Sequence, residues 1–191
     1  MTEYLVYLIS MSFTPGPNVI LSTANGSRKG FPRCLVLNLG MLSGIVVLDT
    51  ICYFAVSYLV LFVGKIEFIL RILGIVYLVW LAVSLFKKGT VGSTDDNGGF
   101  IKGFYLQFMN VKLYMMLVTS VSSFVLPIRT GMMQGYLISL ISPAIAFISQ
   151  CCWALFGVAL TNVYSSHARL FNALFGLSLL VLAVSNTVSL F

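Results

Sequence analysis

From Leu35 to Val63 the chain runs for 29 residues with a single charged side chain, Asp49. A membrane helix needs about 20 predominantly apolar residues to cross the hydrocarbon layer, and blocks of this kind recur along the whole sequence. They are continuous rather than alternating in stretches of ~10, which disfavours a transmembrane β-barrel. The chain is 59% hydrophobic and 8% charged, against about 25% charged for an average soluble domain. A water-soluble globule is therefore excluded. Within 191 residues, six spans of ~20 residues fit with short loops, and twelve do not. The sequence predicts an all-α integral membrane protein, a single transmembrane domain over 1–191.

The net charge of +6 rests on 11 Lys and Arg that sit between the apolar blocks, where positive charge orients membrane helices rather than marking a nucleic-acid surface. The first residues, Met1-Thr2-Glu3-Tyr4, are acidic rather than basic, so no cleaved signal peptide is expected. Cys52, Cys151 and Cys152 lie in apolar runs and Cys34 at a helix edge. With no Cys-x-x-Cys pair and a single His167, they read as small buried hydrophobes, and no metal or cofactor is expected.

Charges and turn residues place the six spans at about 4–24, 35–63, 66–86, 100–126, 135–160 and 170–190. The first is expected to end before the turn Asn25-Gly26-Ser27-Arg28-Lys29-Gly30, and the fourth at Pro127. Glu67 and Arg71, four apart in the third, are spaced to neutralise each other. The hydrophilic stretch 87–102 separates two halves, about 1–86 and 100–191, with 87–99 as the loop between them. Seven Lys and Arg (Arg28, Lys29, Arg33, Lys87, Lys88, Lys102, Arg169) fall on one side and three (Lys65, Arg71, Arg129) on the other. The positive-inside rule then puts both termini outside the cytoplasm.

The halves echo one another. Asn18-Val19-Ile20-Leu21 recurs as Asn110-Val111-Lys112-Leu113, and Gly74 with Ala82-Val83-Ser84 recurs as Gly176 with Ala183-Val184-Ser185. Gly26/Gly30 recurs as Gly131/Gly135, and the offsets of 92, 101–102 and 105 differ only by loop lengths. Because three helices is an odd number, the second half must run opposite to the first. Two inverted three-helix repeats are the plan of secondary transporters, whose substrate sites lie near the midplane where the repeats meet.

The chemistry concentrates at Thr14-Pro15-Gly16-Pro17-Asn18, which interrupts the first apolar block. Each Pro removes an amide donor and clashes with the carbonyl four residues back, which frees the carbonyls of Met11 and Phe13. Broken backbone survives at membrane depth only against protein or a wet cavity. Thr14 is suited to cap the inner half-helix, with Pro15 in its first turn. Amides and the positive end of the dipole would then face the cavity, where a carboxylate binds. The freed carbonyls and the Asn18 amide would accept from an ammonium, so the site suits a zwitterion; the bland alternative is a packing kink.

Asn110 occupies the mirrored position, and Lys112 lies two residues on. A membrane-embedded Lys usually faces the bundle interior, where it would pair with a substrate carboxylate or with Asp49, unless its stem snorkels to the interface. Asp49, about fourteen residues into the second span, binds a proton or the substrate ammonium, or else is a neutral acid hydrogen-bonded between helices. Gly40 and Gly44 have the small-xxx-small spacing of close helix packing. Gln150 and Trp153, three apart in the fifth span with Pro143 and Gly157, share a face and either line a pathway or pack.

With these residues in place, the chain resembles the LysE/RhtB family of amino-acid exporters over nearly its whole length. The resemblance is carried by Thr14-Pro15-Gly16-Pro17-Asn18, Gly26-Ser27-Arg28-Lys29-Gly30, Gly40-Met41-Leu42-Ser43-Gly44 and Tyr77-Leu78-Val79-Trp80-Leu81-Ala82. In the second half it is carried by residues 104–112 and by Trp153 with Gly157. Most members look like Asn-Pro-Lys in the fourth span, where this chain has Asn110-Val111-Lys112 followed by Ser122-Ser123-Phe124-Val125-Leu126-Pro127. That variant is similar to the cysteine/O-acetylserine exporter branch. Val111 removes the helix-breaking Pro and leaves a second discontinuity open.

The resemblance implies export of a small amino acid or derivative from the cytoplasm across a bacterial inner membrane, driven by proton antiport. The expected substrate-binding residues are Thr14, Pro15, Gly16, Pro17, Asn18, Asn110, Lys112, Gln150 and Trp153, with Asp49 as the proton-coupling group. The partners are the amino acid, protons and the bilayer, with a homodimer left open. A passive pore for small metabolites is the alternative. An enzyme would need a catalytic set, and the sequence has no His-Glu-x-x-His, no Gly-x-Ser-x-Gly and no paired acids within one helix.

Overall fold

A computed structural model describes residues 1–58, 99–161 and 177. The expected third span, the sixth span apart from Leu177, and the loop up to residue 98 lie outside these residues. So do Glu67, Arg71 and the repeat pair Gly74/Gly176. Among the described residues every regular element is helical. α1 (Thr2–Phe13) and α2 (Pro17–Lys29) are followed by α3 (Phe31–Tyr58), then α4 (Gly99–Gln107) and α5 (Val111–Thr119). A wider π-helical turn, Ser120–Val125, leads into α6 (Leu126–Ile128), α7 (Met132–Ser139) and α8 (Ile141–Ala159). Three helical stretches, Phe31–Tyr58, Val111–Ile128 and Met132–Ala159, are long and apolar enough to cross a membrane, and α1 with α2 makes a fourth that is bent by 54°.

Several expected boundaries shift. The basic turn at 25–30 is helix through Lys29, because its polar side chains fold back on their own helix: Asn25 Nδ2 donates to the Leu21 carbonyl at 2.9 Å and Ser27 Oγ to that of Ala24 at 3.0 Å. The turn shrinks to Gly30, whose φ of 77° is the left-handed value that glycine adopts freely. The second span therefore starts at Phe31, with Pro32 in its first turn where a missing amide costs nothing. The fourth span passes through Pro127 instead of stopping before it. The π-helical turn just upstream shifts the bonding pattern, with the Leu126 amide donating to the Val121 carbonyl, and a wider turn gives the ring room. The fifth span starts three residues early and carries a one-residue interruption at Leu140, because Pro143 cannot donate to the Ser139 carbonyl.

Tyr4, Leu8, Ile45, Leu48, Tyr53, Leu117, Val121 and Ala146 bury each other between α1, α3, α5, the π-helical turn and α8. Outward faces carry exposed Val36, Val47, Ile51, Phe54, Leu137, Ile148 and Leu155, as a lipid-facing surface requires. Two helix pairs are drawn to backbone contact by glycine. A Cβ on Gly103 of α4 would fall on the Leu37 carbonyl of α3, and one on Gly40 on the Phe100 carbonyl. Likewise a Cβ on Gly157 of α8 would fall on the Thr23 carbonyl of α2. Gly40 and Gly44 are thus packing residues, with α4 as their partner.

Candidate substrate site

The first break is made by removing donors. Thr14 ends α1, its amide and hydroxyl both on the Ser10 carbonyl at 3.1 and 2.6 Å. It caps the outgoing helix, not the incoming one as expected. The physical reason is register: the residue that precedes α2 is Gly16, in extended backbone, with Pro17 in the first helical position and no side-chain cap. The Thr14 hydroxyl stands two residues too early. The first turn of α2 therefore has amides at Asn18 and Val19 with no partner among the described residues, since the first intrahelical donor is Ile20, on the Gly16 carbonyl at 2.9 Å.

The second break exists without a proline. α4 ends in tight i→i+3 bonds, Phe108 to Tyr105 at 3.2 Å, Met109 to Leu106 at 3.3 Å and Asn110 to Gln107 at 3.1 Å. Asn110 is then extended, and its Oδ1 accepts from the Leu113 amide at 3.3 Å, starting α5 anew. An asparagine N-cap does here what a proline does in the first break.

The two breaks meet at a cavity of about 40 Å³. The first contributes Gly16, Pro17, Asn18 and Val19, the second Asn110 and Lys112, and α8 contributes Gln150. Met11, Leu113, Met116 and Ala146 form its apolar wall. The two mirrored asparagines touch: Asn110 Nδ2 donates to Asn18 Oδ1 at 3.0 Å. Lys112 reaches across to the Thr14 carbonyl at 2.6 Å. Its stem lies over Gly16, where an added Cβ would come within 3.0 Å of the lysine Cδ. An ammonium with three donors thus spends one on the broken backbone and stands beside uncapped helix amides, an arrangement suited to an anion.

Of the expected residues, Gly16, Pro17, Asn18, Asn110, Lys112 and Gln150 converge on this cavity, and Thr14 joins through its carbonyl. Pro15 is exposed and acts only on the backbone path. Trp153 is elsewhere. It meets Phe156 edge-on at 5.6 Å and lines an open apolar depression with Phe13 and Cys152. Residues three apart on a helix differ by about 60° in direction, and the cavity takes in only one of the two. Asp49 is also apart from the cavity lining. It is fully buried with Oδ2 accepting from Ser139 at 2.8 Å, and Oδ1 has no partner among the described residues. The pairing of Asp49 with Lys112 is therefore replaced by two separate pairs, because Lys112 starts α5 and points back at the first break while Asp49 faces α7.

Sequence reasoning missed Gln107, fully buried, which accepts from Asn18 Nδ2 at 2.7 Å and returns a bond to Asn18 Oδ1 at 3.3 Å. It also missed Ser149, whose hydroxyl donates to the Ser12 carbonyl at 2.8 Å and so shields a backbone group just before the first break. Gln107 carried a signal, being a polar side chain inside an apolar block three residues before the recurring asparagine. Ser149 carried none.

The chain has recognisable relatives. The family model of LysE type translocators matches residues 9–189. The cysteine/O-acetylserine efflux protein of Klebsiella pneumoniae is 30% identical over 185 residues, 96% of this chain and 94% of that protein. Proteins with the same description from Salmonella typhimurium and Escherichia coli O139:H28 are 29% and 28% identical over 189 and 190 residues, each 96% of this chain and 95% of the relative. No solved structure shows significant similarity to the chain. With a family match across almost its full length, and with apolar helices broken around a cavity, the chain belongs to the LysE type translocators, a family of transport proteins and not of enzymes.

Proposed function

We propose that the protein is a carrier exporting a small amino acid or derivative, of the cysteine/O-acetylserine kind, from the cytoplasm across the bacterial inner membrane by alternating access. The observation that carries this reading is the cavity where two broken helices meet, with Lys112 and the uncapped start of α2 on its wall. A substrate carboxylate lies against that positive end, and Asn18 and Asn110 orient the guest between the halves. The relatives named for cysteine and O-acetylserine efflux support the substrate class. The full chain forms six spans as two inverted repeats, 1–86 and 100–191, within one domain, with both termini outside the cytoplasm. Support for the repeat comes from Asn18 and Asn110, 92 positions apart, which bond directly as residues beside a pseudo-two-fold axis do.

Proton antiport is assigned to Asp49. A fully buried carboxyl with one oxygen held by Ser139 and one unpartnered among the described residues is costly as a bare anion, so a proton bound there in one half of the cycle relieves it. The test is counterflow of a panel of amino acids in proteoliposomes, with and without a pH gradient. A carrier exchanges labelled for unlabelled substrate, whereas a passive pore simply equilibrates. An acidic trans side is expected to speed wild-type efflux severalfold and to have no effect on Asp49→Asn; an unchanged pH response in that variant removes Asp49 from the coupling.

A further inference from the structure

Gln150 is 1% exposed, lines the cavity, and its Oε1 has no partner among the described residues. A buried amide oxygen is rarely left without a donor unless something outside the resting chain supplies one. The cavity's charge is already defined: Lys112, held by the Thr14 carbonyl, is the one charged side chain among the described lining residues. Met11, Ser12, Met116 and Ala146 also line the space, with the Ser12 hydroxyl on the Met116 sulfur at 3.8 Å. The space of about 40 Å³ holds roughly three waters at ~10–15 Å³ each, so a guest that replaces them has to be small.

We infer that Gln150 is the specificity-determining residue of this cavity, accepting the α-ammonium of a zwitterionic amino acid whose carboxylate faces Lys112 and whose short, uncharged side chain lies against the two methionines. The inference rests on the carrier reading above and adds to it a selection rule. A guest without the ammonium leaves Gln150 Oε1 without a donor. A dibasic guest brings a second cation into a space where Lys112 is the one charged group among the described lining residues, with no acid among them to receive it. Soft, polarisable sulfur along the remaining wall suits a thiol or ester and gives nothing to a charged side chain.

The test uses the full-length protein in proteoliposomes and counterflow of labelled L-cysteine under reducing conditions. The competitors are unlabelled L-cysteine, 3-mercaptopropionate, which lacks only the ammonium, and L-lysine. In the wild type, 3-mercaptopropionate and lysine are each expected to compete at least about tenfold more weakly than cysteine, the scale on which a hydrogen-bonding site rejects an analogue missing its partner group. Gln150→Leu is expected to raise half-saturating cysteine about tenfold and to leave 3-mercaptopropionate unaffected, collapsing the ratio between them. Gln150→Glu, which keeps an acceptor of the same length, retains the ratio. A purely structural role for Gln150 would weaken both competitors together. Equal competition by 3-mercaptopropionate or lysine in the wild type, or an unchanged ratio in Gln150→Leu, overturns the inference while the carrier reading stands. Absence of counterflow for cysteine and every other amino acid overturns both. Should Gln150→Leu not fold, the wild-type competitor series and Gln150→Glu still decide.

Discussion

The two helix breaks reach the same result by opposite means. In the first, Pro15 and Pro17 take two amides out of the ladder, and side chains from elsewhere cap two carbonyls beside the gap: Ser149 donates to that of Ser12 and Lys112 to that of Thr14. In the second, every residue keeps its amide, and the break is made by tight bonds closing α4 and by the Asn110 side chain opening α5. The proline break is imposed by covalent structure and needs outside donors. The asparagine break is held by weak interactions, and it supplies one of those donors through Lys112. A discontinuity in a membrane helix thus depends less on proline than on whether the exposed groups find partners.

The sharpest way to break this relation is Lys112→Met, which strips the first break of its cation and leaves the Thr14 carbonyl unpaired. A hydrogen bond from a charged group contributes about 1.5–3 kcal/mol, and this one lies at an exposed carbonyl, so counterflow is expected to fall by about 10- to 100-fold while size-exclusion chromatography still shows a folded protein. Full transport by this variant would remove Lys112 from the site. Next in size is Gly157→Ala. Its Cβ meets the Thr23 carbonyl, and overpacking at such a contact costs about 1–3 kcal/mol, expected as a drop of several degrees in melting temperature. The matching change Gly103→Ala, against Leu37, is expected to cost a similar amount, because each break has one flanking half-helix anchored by glycine.

Asn110→Ala removes both the α5 cap and the bond to Asn18. A lost N-cap costs about 0.5–2 kcal/mol, so a lower melting temperature and a severalfold rise in half-saturating substrate are expected together. The smallest effect is expected from Val111→Pro. Residue 111 is already the first of α5, where proline fits without losing a hydrogen bond. Transport within about twofold of wild type supports a break already present at Asn110, whereas unfolding of Val111→Pro would show that the chain runs through it as continuous helix.

The apolar blocks, the position of the first break and the recurrence of Asn18 as Asn110 are all legible in the sequence, because each follows from local composition. Hydrophobic runs must be helical in lipid, and two prolines around a glycine cannot continue a helix. The direction of the Thr14 hydroxyl is not legible, since the cap position falls on Gly16 only once the path around both prolines is fixed. Gln150 and Trp153 look alike at helical spacing, yet one faces the cavity and the other packs on Phe156. The polar turn at 25–30 also misleads, because turn residues can satisfy a helix as well as end it.

The order of amino acids alone dictates that this chain lives in a membrane as helices and that the first of them is interrupted, since the cost of unpaired backbone in lipid leaves no other solution. Which partner each freed group takes was decided only in three dimensions. Lys112 pairs with the Thr14 carbonyl and Asp49 with Ser139 because close glycine contacts fix how the helices cross, and a hydrogen bond across about a hundred residues of chain depends on that crossing rather than on any local pattern.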